Sequence, residues 1–153
     1  MTEVIGMPAV GVSFMHAGGG NDEVLLAALE ERTPDFIAGD AGSTDAGPAF
    51  LGSGKGMTHR SGLKKAFETI LPIVVSRKIP LIVGSCGMAG TREHLDEFRD
   101  IVEEVAREQG LHFNLGLIDS EQDKSALKAS LRAGRISPLG PVPELTEDDI
   151  DRA

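Results

Sequence analysis

Short apolar runs alternate with amphipathic segments along this chain. Each run is bounded by proline, glycine or polar turn residues, which is typical of a buried strand. The predicted strands lie in "PAVGVSFM" (8–15), "PDFIAGD" (34–40), "IPLIVGSCG" (79–87) and "LHFNLGLID" (111–119). Strands that alternate with helices across short links favour a parallel sheet with helices on its faces. We therefore expect an α/β fold, a Rossmann-like three-layer sandwich with a mainly parallel sheet of about four strands.

Apolar residues recur at helical spacing after each of these runs. The clearest stripe comprises Leu95, Phe98, Ile101, Val102 and Val105, with Gly110 as its predicted end. The residues predicted to cap the four helices are Asn21, Ser61, Thr91 and either Ser120 or Asp123. Pro72 falls inside the second helix, so we expect a kink or a break there.

The final segment, "ELTEDDIDRA" (144–153), has the pattern of a helix start without a helix body. Thr146 is the predicted N-cap, and Asp149 is placed to form the reciprocal hydrogen bond of a capping box with it. Only seven residues follow Thr146. We expect either a longer natural protein, of which this chain is a piece, or a short terminal turn that docks on a neighbour. The 153 residues suit a single α/β domain over 1–153, on its own or as a fragment or subunit of a larger enzyme.

Composition narrows the class of protein. A net charge of −9 argues against general binding to nucleic acid and to anionic membranes, so neither is an expected partner. Cys86 is the single cysteine, which excludes an internal disulfide and fits a reducing, cytoplasmic location. No apolar run approaches the length of about 18 residues that a membrane span needs. An anionic small molecule stays a possible ligand, provided that hydrogen-bond donors are concentrated locally.

The ends of the predicted strands are rich in glycine and hydroxyl residues, most of all in "GDAGSTDAGPAFLGSGKG" (39–56). In a parallel α/β sheet, ligands bind beyond the carboxyl ends of the strands. Backbone N–H groups of glycine-rich turns, supplemented by hydroxyls, can hold a phosphate, a carboxylate or a developing oxyanion. The predicted anion-binding residues are Gly42, Ser43, Thr44, Gly52, Ser53, Gly54, Lys55, Ser85, Cys86 and Gly87. The predicted acid-base residues are Asp40, His16 and Asp45.

Each candidate also has an ordinary structural interpretation. Asp40 and His16 can simply be hydrogen-bonded turn residues. Cys86 can be a nucleophile near a helix N-terminus or a small apolar filler. The other histidines, His59, His94 and His112, are interpreted as surface or packing residues. The Walker A match fails and the Rossmann glycine pattern is absent, so the sequence leaves any cofactor unknown, and the need for a metal stays open.

A family resemblance rests on three blocks: "PDFIAGDAGSTDAGPAFLGSGKG" (34–56), "IPLIVGSCGMAGTREHL" (79–95) and "LGPVPELTEDDIDR" (139–152). Together they resemble the acyclic terpene utilisation (AtuA-like) family from about Pro34 to the C-terminus. That family consists of substantially longer proteins, often encoded beside a small partner subunit. The resemblance implies a cytosolic metabolic protein that acts in the breakdown of carboxylates or acyl thioesters. It supplies no catalytic mechanism.

Two functions remain open. The first is an enzyme domain that binds a small carboxylate or acyl thioester and performs acid-base chemistry of the lyase, hydratase or isomerase type. The second is a non-catalytic binding or assembly subunit that needs a partner chain to complete a site. In both cases we expect a small anionic substrate and association, with a second copy or with a partner subunit.

Overall fold

The computed structural model describes residues 9–13, 22–42, 56, 59–87 and 91–152, with only the backbone described for 9–13 and 22. The chain forms two compact units, Met1–Asp119 and Ser120–Ala153. The strands lie in the first unit: β1 (Ala9–Ser13), β2 (Phe36–Asp40) and β3 (Leu81–Gly84).

All three strands are parallel and lie in the order β1-β2-β3. The register pairs Ser13 with Asp40 and Asp40 with Gly84. The carboxyl ends of the strands therefore meet at one edge of the sheet, which we call the exit edge. Side chains of β3 alternate in burial, with Ile82 56% exposed between the less exposed Leu81 and Val83, and Ile37 of β2 is fully buried.

The predicted four-stranded, three-layer Rossmann-like sandwich is wrong. Residues 111–119 are not a strand, and every residue from 112 to 119 is exposed. A doubly wound sheet also needs a reversal of strand order, and β1-β2-β3 has none among the described residues. Right-handed crossovers in sequential order place their helices on the same face of the sheet. The molecule is a mixed α/β protein with a smaller sheet than the sequence predicted.

In the described part of the first unit, the helices are α1 (Asp22–Glu31), α2 (Arg60–Arg77) and α3 (Arg92–Gln109). The cap of α2 is His59 without a side-chain hydrogen bond, so the prediction of Ser61 is wrong. Thr91 is confirmed as the cap of α3, and Gly110 ends that helix at φ 65°. The predicted cap of α1, Asn21, lies outside the described residues.

Helix α2 runs through Pro72 without a break. Proline has no N–H, so Pro72 cannot donate to the carbonyl of Glu68, four residues earlier. Gln109, at the end of α3, donates its side-chain Nε2 to that carbonyl at 3.1 Å. The neighbouring helix thus satisfies the acceptor that the proline leaves free.

The core lies between these helices and the sheet. Its largest fully buried side chains are Phe67, Leu29, Ile37, Leu63, Ile101 and Val105. Phe67 of α2 meets Phe98 of α3 edge to face, with ring centroids 6.1 Å apart. The side chains of Leu81 and Val83 pack against the same cluster. Burial of such side chains contributes about 1.5–3 kcal/mol each, so this cluster fixes α3 against the sheet.

A network of ion pairs joins α2 to α3 on the solvent side of the core. Glu104 accepts hydrogen bonds from Lys64 at 2.7 Å and from Arg60 at 2.5 Å. Lys64 also donates to Glu108 at 2.8 Å. These bonds lower the pKa of Glu104 to about 2, with Lys64 the largest cause and Arg60 the next. They raise the pKa of Lys64 to about 12.

The second unit contains α4 (Lys124–Arg132) and α5 (Glu147–Arg152). Asp123 caps α4, with Oδ1 accepting from the N–H of Ala126 at 2.7 Å, which confirms one of the two predicted starts. Thr146 and Asp149 form the predicted reciprocal cap of α5. Within the part of the chain that the structure describes, no helix combines the length and apolar composition of a membrane span.

Candidate functional site at the exit edge of the sheet

Backbone hydrogen bonds tie the ends of β2 and β3 together. Ala41 donates its N–H to the carbonyl of Gly84 at 3.0 Å, and Gly87 donates to the carbonyl of Ala41, also at 3.0 Å. Oδ1 of Asp40 accepts from the N–H of Gly42 at 3.3 Å. The two turns that carry sequence-predicted site residues are therefore neighbours, and Asp40 stabilises its own turn.

The turn after β3 has an unusual backbone. Ser85 has φ 61° and Gly87 has φ 85°, so both lie in the left-handed region. That region costs an L-residue about 1–2 kcal/mol, and glycine avoids most of the cost. Ser85 therefore holds strain in an exposed turn at the sheet's exit edge, where strained residues tend to serve a function.

His94, in the first turn of α3, is the polar side chain of this region that is most deeply buried, at 4% exposure. Its backbone N–H donates to Oγ1 of Thr91 at 3.4 Å. Among the described residues, no atom forms a hydrogen bond with the ring nitrogen Nδ1 of His94. A buried polar atom without a partner is uncommon, because losing water without a replacement costs about 1–3 kcal/mol.

Two glycines surround the His94 ring. A Cβ added at Gly87 would lie 3.4 Å from Cγ of His94, and one added at Gly56 would lie 3.7 Å from Nε2. Gly56 is the last residue of the glycine-rich stretch 39–56. The end of that stretch therefore lies beside the turn after β3. Because neither glycine has a side chain, the backbone of each lies close to the His94 ring.

These groups can perform acid-base chemistry on a small anion. Neutral imidazole carries one donor and one acceptor nitrogen, so it can take or deliver a proton near neutral pH. Backbone N–H groups in turns and near the first turn of a helix favour negative charge. Among the residues that the structure describes, no group of three or more His, Cys, Asp or Glu side chains could hold a metal ion.

Cys86 is half-buried, and its side chain packs against the core. Burial raises the pKa of its thiol, with a smaller opposing effect from a backbone hydrogen bond. A nucleophilic cysteine needs the thiolate, which a raised pKa disfavours. The apolar-filler interpretation of Cys86 is therefore the better one.

The described residues include only part of the predicted site. Asp40, Gly42, Ser85, Cys86 and Gly87 lie together at the exit edge. The other predicted residues, which are His16, Ser43, Thr44, Asp45, Gly52, Ser53, Gly54 and Lys55, lie outside the described residues. Their roles stay predictions.

The interpretation of His94 as an ordinary surface or packing residue missed its unpartnered ring nitrogen. A signal was present in the sequence: His94 precedes Phe98 by four residues and Ile101 by seven. Those spacings place it on the apolar face of α3. A histidine that extends an apolar stripe to the first turn of a helix, beside glycine-rich turns, marks a buried polar group.

Neither protein-family models, nor curated proteins, nor solved structures give a match to this chain. The resemblance to the AtuA-like family gains no support from these comparisons and stays a prediction.

Proposed function

We propose that this chain binds a small carboxylate or acyl thioester at the exit edge of its sheet, and that His94 exchanges a proton with it. The observation that carries the proposal is the buried His94 ring with its unpartnered Nδ1, beside Gly56 and Gly87. A ligand that hydrogen-bonds this nitrogen would satisfy a buried side-chain atom that has no partner among the described residues. The substrate class follows the family resemblance, and we place the protein in the reducing cytoplasm because Cys86 is a free thiol.

The roles divide between two kinds of group. The backbone N–H groups of Ser85 and Cys86 would hold the anionic or carbonyl oxygen, because those of Ala41, Gly42 and Gly87 already donate within the fold. His94 would act as the acid or base in lyase, hydratase or isomerase chemistry. Asp40 already accepts a hydrogen bond from Gly42, so its main role here is to hold the turn in place.

A second candidate function is a non-catalytic subunit whose site a partner chain completes. The exposure of Asp40 and Ser85 favours it, because an enzyme that abstracts protons usually excludes water from its site. In that case His94 would contribute binding but no turnover.

Thermal-shift measurements on the full chain test binding directly. The probes are sodium succinate, acetyl-CoA and magnesium chloride, each with the wild type, His94→Gln and the exposed control His112→Gln. A probe at about 100 times its Kd stabilises the chain by about 2.7 kcal/mol, so melting rises in the wild type and the control. His94→Gln should lose most of that rise. If no probe raises the melting temperature, or if His94→Gln keeps the full rise, the proposal fails.

Incubation in D2O separates the two functions. Any carboxylate or thioester that raises the melting temperature is incubated with the chain and followed by proton NMR. An enzyme of the proposed type exchanges the proton next to the carbonyl for deuterium, and His94→Gln slows that exchange. Binding without exchange identifies the non-catalytic subunit.

A further inference from the structure

Residues 111–119 run back along α3. Leu111 donates its N–H to the carbonyl of Ala106 at the end of α3, and Asp119 forms an ion pair with Arg92 in the first turn. The 18 residues of α3 span about 27 Å. Nine residues reach about 30 Å when extended but only about half as far when helical. The segment is therefore extended and returns to the exit edge, in the direction of β3.

No strand in the described part of the chain pairs with this extended segment. Among the described residues, the backbone groups of 112–118 form no hydrogen bonds. Phe113, Leu115 and Leu117 are 38%, 44% and 42% exposed, and Ile118 is 91% exposed. An uncharged, apolar segment with free backbone groups readily adds to a sheet.

The outer edge of β3 offers the complementary surface. The carbonyls of Pro80 and Gly84 accept from β2, so Leu81 and Val83, which alternate with them, direct their backbone groups to the other side. Within the described residues, β3 is the last strand of the sheet on that side. Its four residues, "LIVG", carry no charge that would block pairing.

We propose that residues 112–118 of one copy of this chain pair, in parallel, with the outer edge of β3 in a second copy. Each copy carries both the free segment and the free edge, so two copies satisfy each other reciprocally about a two-fold axis. A second copy is favoured over the chain's own β3 because the segment, although described throughout, forms no backbone hydrogen bond to β3 within the single chain. The proposal does not rest on the proposed function, because residues 112–118 are not part of the candidate ligand site.

The geometry of a parallel sheet selects the residue to test. Ile37 faces the core and directs its N–H to β3. In the proposed strand, the apolar side chains of Phe113, Leu115 and Leu117 face the same side of the sheet as those of Leu81 and Val83. By the same alternation, Asn114 then directs its N–H toward β3 of the other copy.

Sedimentation velocity of the full chain, between about 1 and 100 µM, tests the pairing. The wild type and Asn114→Ala should form dimers. Asn114→Pro removes one N–H and should raise the dissociation constant by about tenfold or more. Circular dichroism checks that its helices are intact, as expected because residue 114 makes no backbone hydrogen bond in the single chain. A dimer should also protect the amides of Asn114, Gly116 and Ile118 from hydrogen exchange as concentration rises.

Three results would overturn the proposal. One is a chain that stays monomeric at about 100 µM, whether its segment pairs with its own β3 or with nothing. Another is a dimer that tolerates Asn114→Pro as well as Asn114→Ala. The third is a dimer in which those amides exchange freely.

Discussion

Polar side chains at the two ends of α3 differ in whether they have hydrogen-bond partners. Toward the C-terminus, Glu104 has two cationic partners, and Lys64 bridges it to Glu108. At the first turn, His94 is more deeply buried than any of these groups, yet its Nδ1 has no partner among the described residues. Both ends belong to one helix packed on one core.

The difference separates structural polar groups from candidate functional ones. Where a polar side chain only supports the fold, its partners are already in place. An unpartnered buried nitrogen lowers stability, and such costs concentrate where a ligand binds. The comparison therefore directs experiments on function to the first turn of α3 and experiments on stability to its second half.

The largest effect should come from the core that supports both ends. Phe67 is 1% exposed and packs edge to face against Phe98. Phe67→Ala should lower the free energy of unfolding by about 3–5 kcal/mol, because it removes a buried ring and leaves a cavity. Urea denaturation measures this loss, with Leu139→Ala, at a 98% exposed side chain, as the control. A loss below about 1 kcal/mol would show that the core does not hold α3 as described.

Gly87 and Gly110, which lie before and after α3, allow two matched alanine variants to be compared. Gly87 and Gly110 both have positive φ, so an alanine at either position should cost about 1–2 kcal/mol. Only Gly87→Ala adds a methyl group 3.4 Å from His94, whereas a Cβ at Gly110 meets nothing within 4 Å. We expect similar losses of stability in urea, but weaker probe binding for Gly87→Ala alone. Equal binding by both variants would place the ligand away from His94.

Substitution of His94 by leucine should change the free energy of unfolding by a smaller amount, and toward greater stability. His94→Leu removes a buried nitrogen without a partner and fills the space with apolar atoms. It should leave the free energy of unfolding unchanged or raise it by about 1 kcal/mol, while abolishing probe binding. His112→Leu, on the exposed segment, should change stability by less than about 0.5 kcal/mol. A clear loss of stability for His94→Leu would mean that the ring has a structural partner.

The smallest effect concerns the acid stability that the ion-pair network contributes. The pKa of Glu104 is about 2 in the folded chain and about 4.5 ordinarily, so the unfolded chain binds more protons between these values. Stability from this carboxylate is complete above pH 4.5 and disappears as pH falls toward 2. Urea midpoints measured from pH 2 to 6 should fall less steeply for Glu104→Gln than for the wild type or for Glu103→Gln. High salt should shrink that difference.

Local signals in the sequence located most described elements. The strands at Phe36–Asp40 and Leu81–Gly84 follow from apolar runs between proline and glycine. The caps at Thr91 and Asp123 follow from side chains that can accept a backbone N–H three residues on. These features depend on neighbours in the chain, which the sequence displays directly.

The predictions that were wrong concern features that depend on residues elsewhere in the molecule. "LHFNLGLID" has strand character, but strand pairing needs a free edge within reach, and propensity alone does not provide it. Ser61 was the predicted cap of α2, although His59, two residues earlier, occupies the cap position and makes no side-chain hydrogen bond. At the candidate site, the burial of His94 depends on how α3 packs beside Gly56 and Gly87, which no local pattern displays.

The hydrogen bond from Gln109 to Glu68 has an evolutionary consequence. Proline at position 72 makes the chain dependent on a side-chain donor 37 positions later, because Gln109 serves the carbonyl that Pro72 cannot. The two positions should therefore vary together. Relatives that keep proline at 72 are expected to keep an amide or another donor at 109, and relatives with a non-proline residue at 72 are free to lose it.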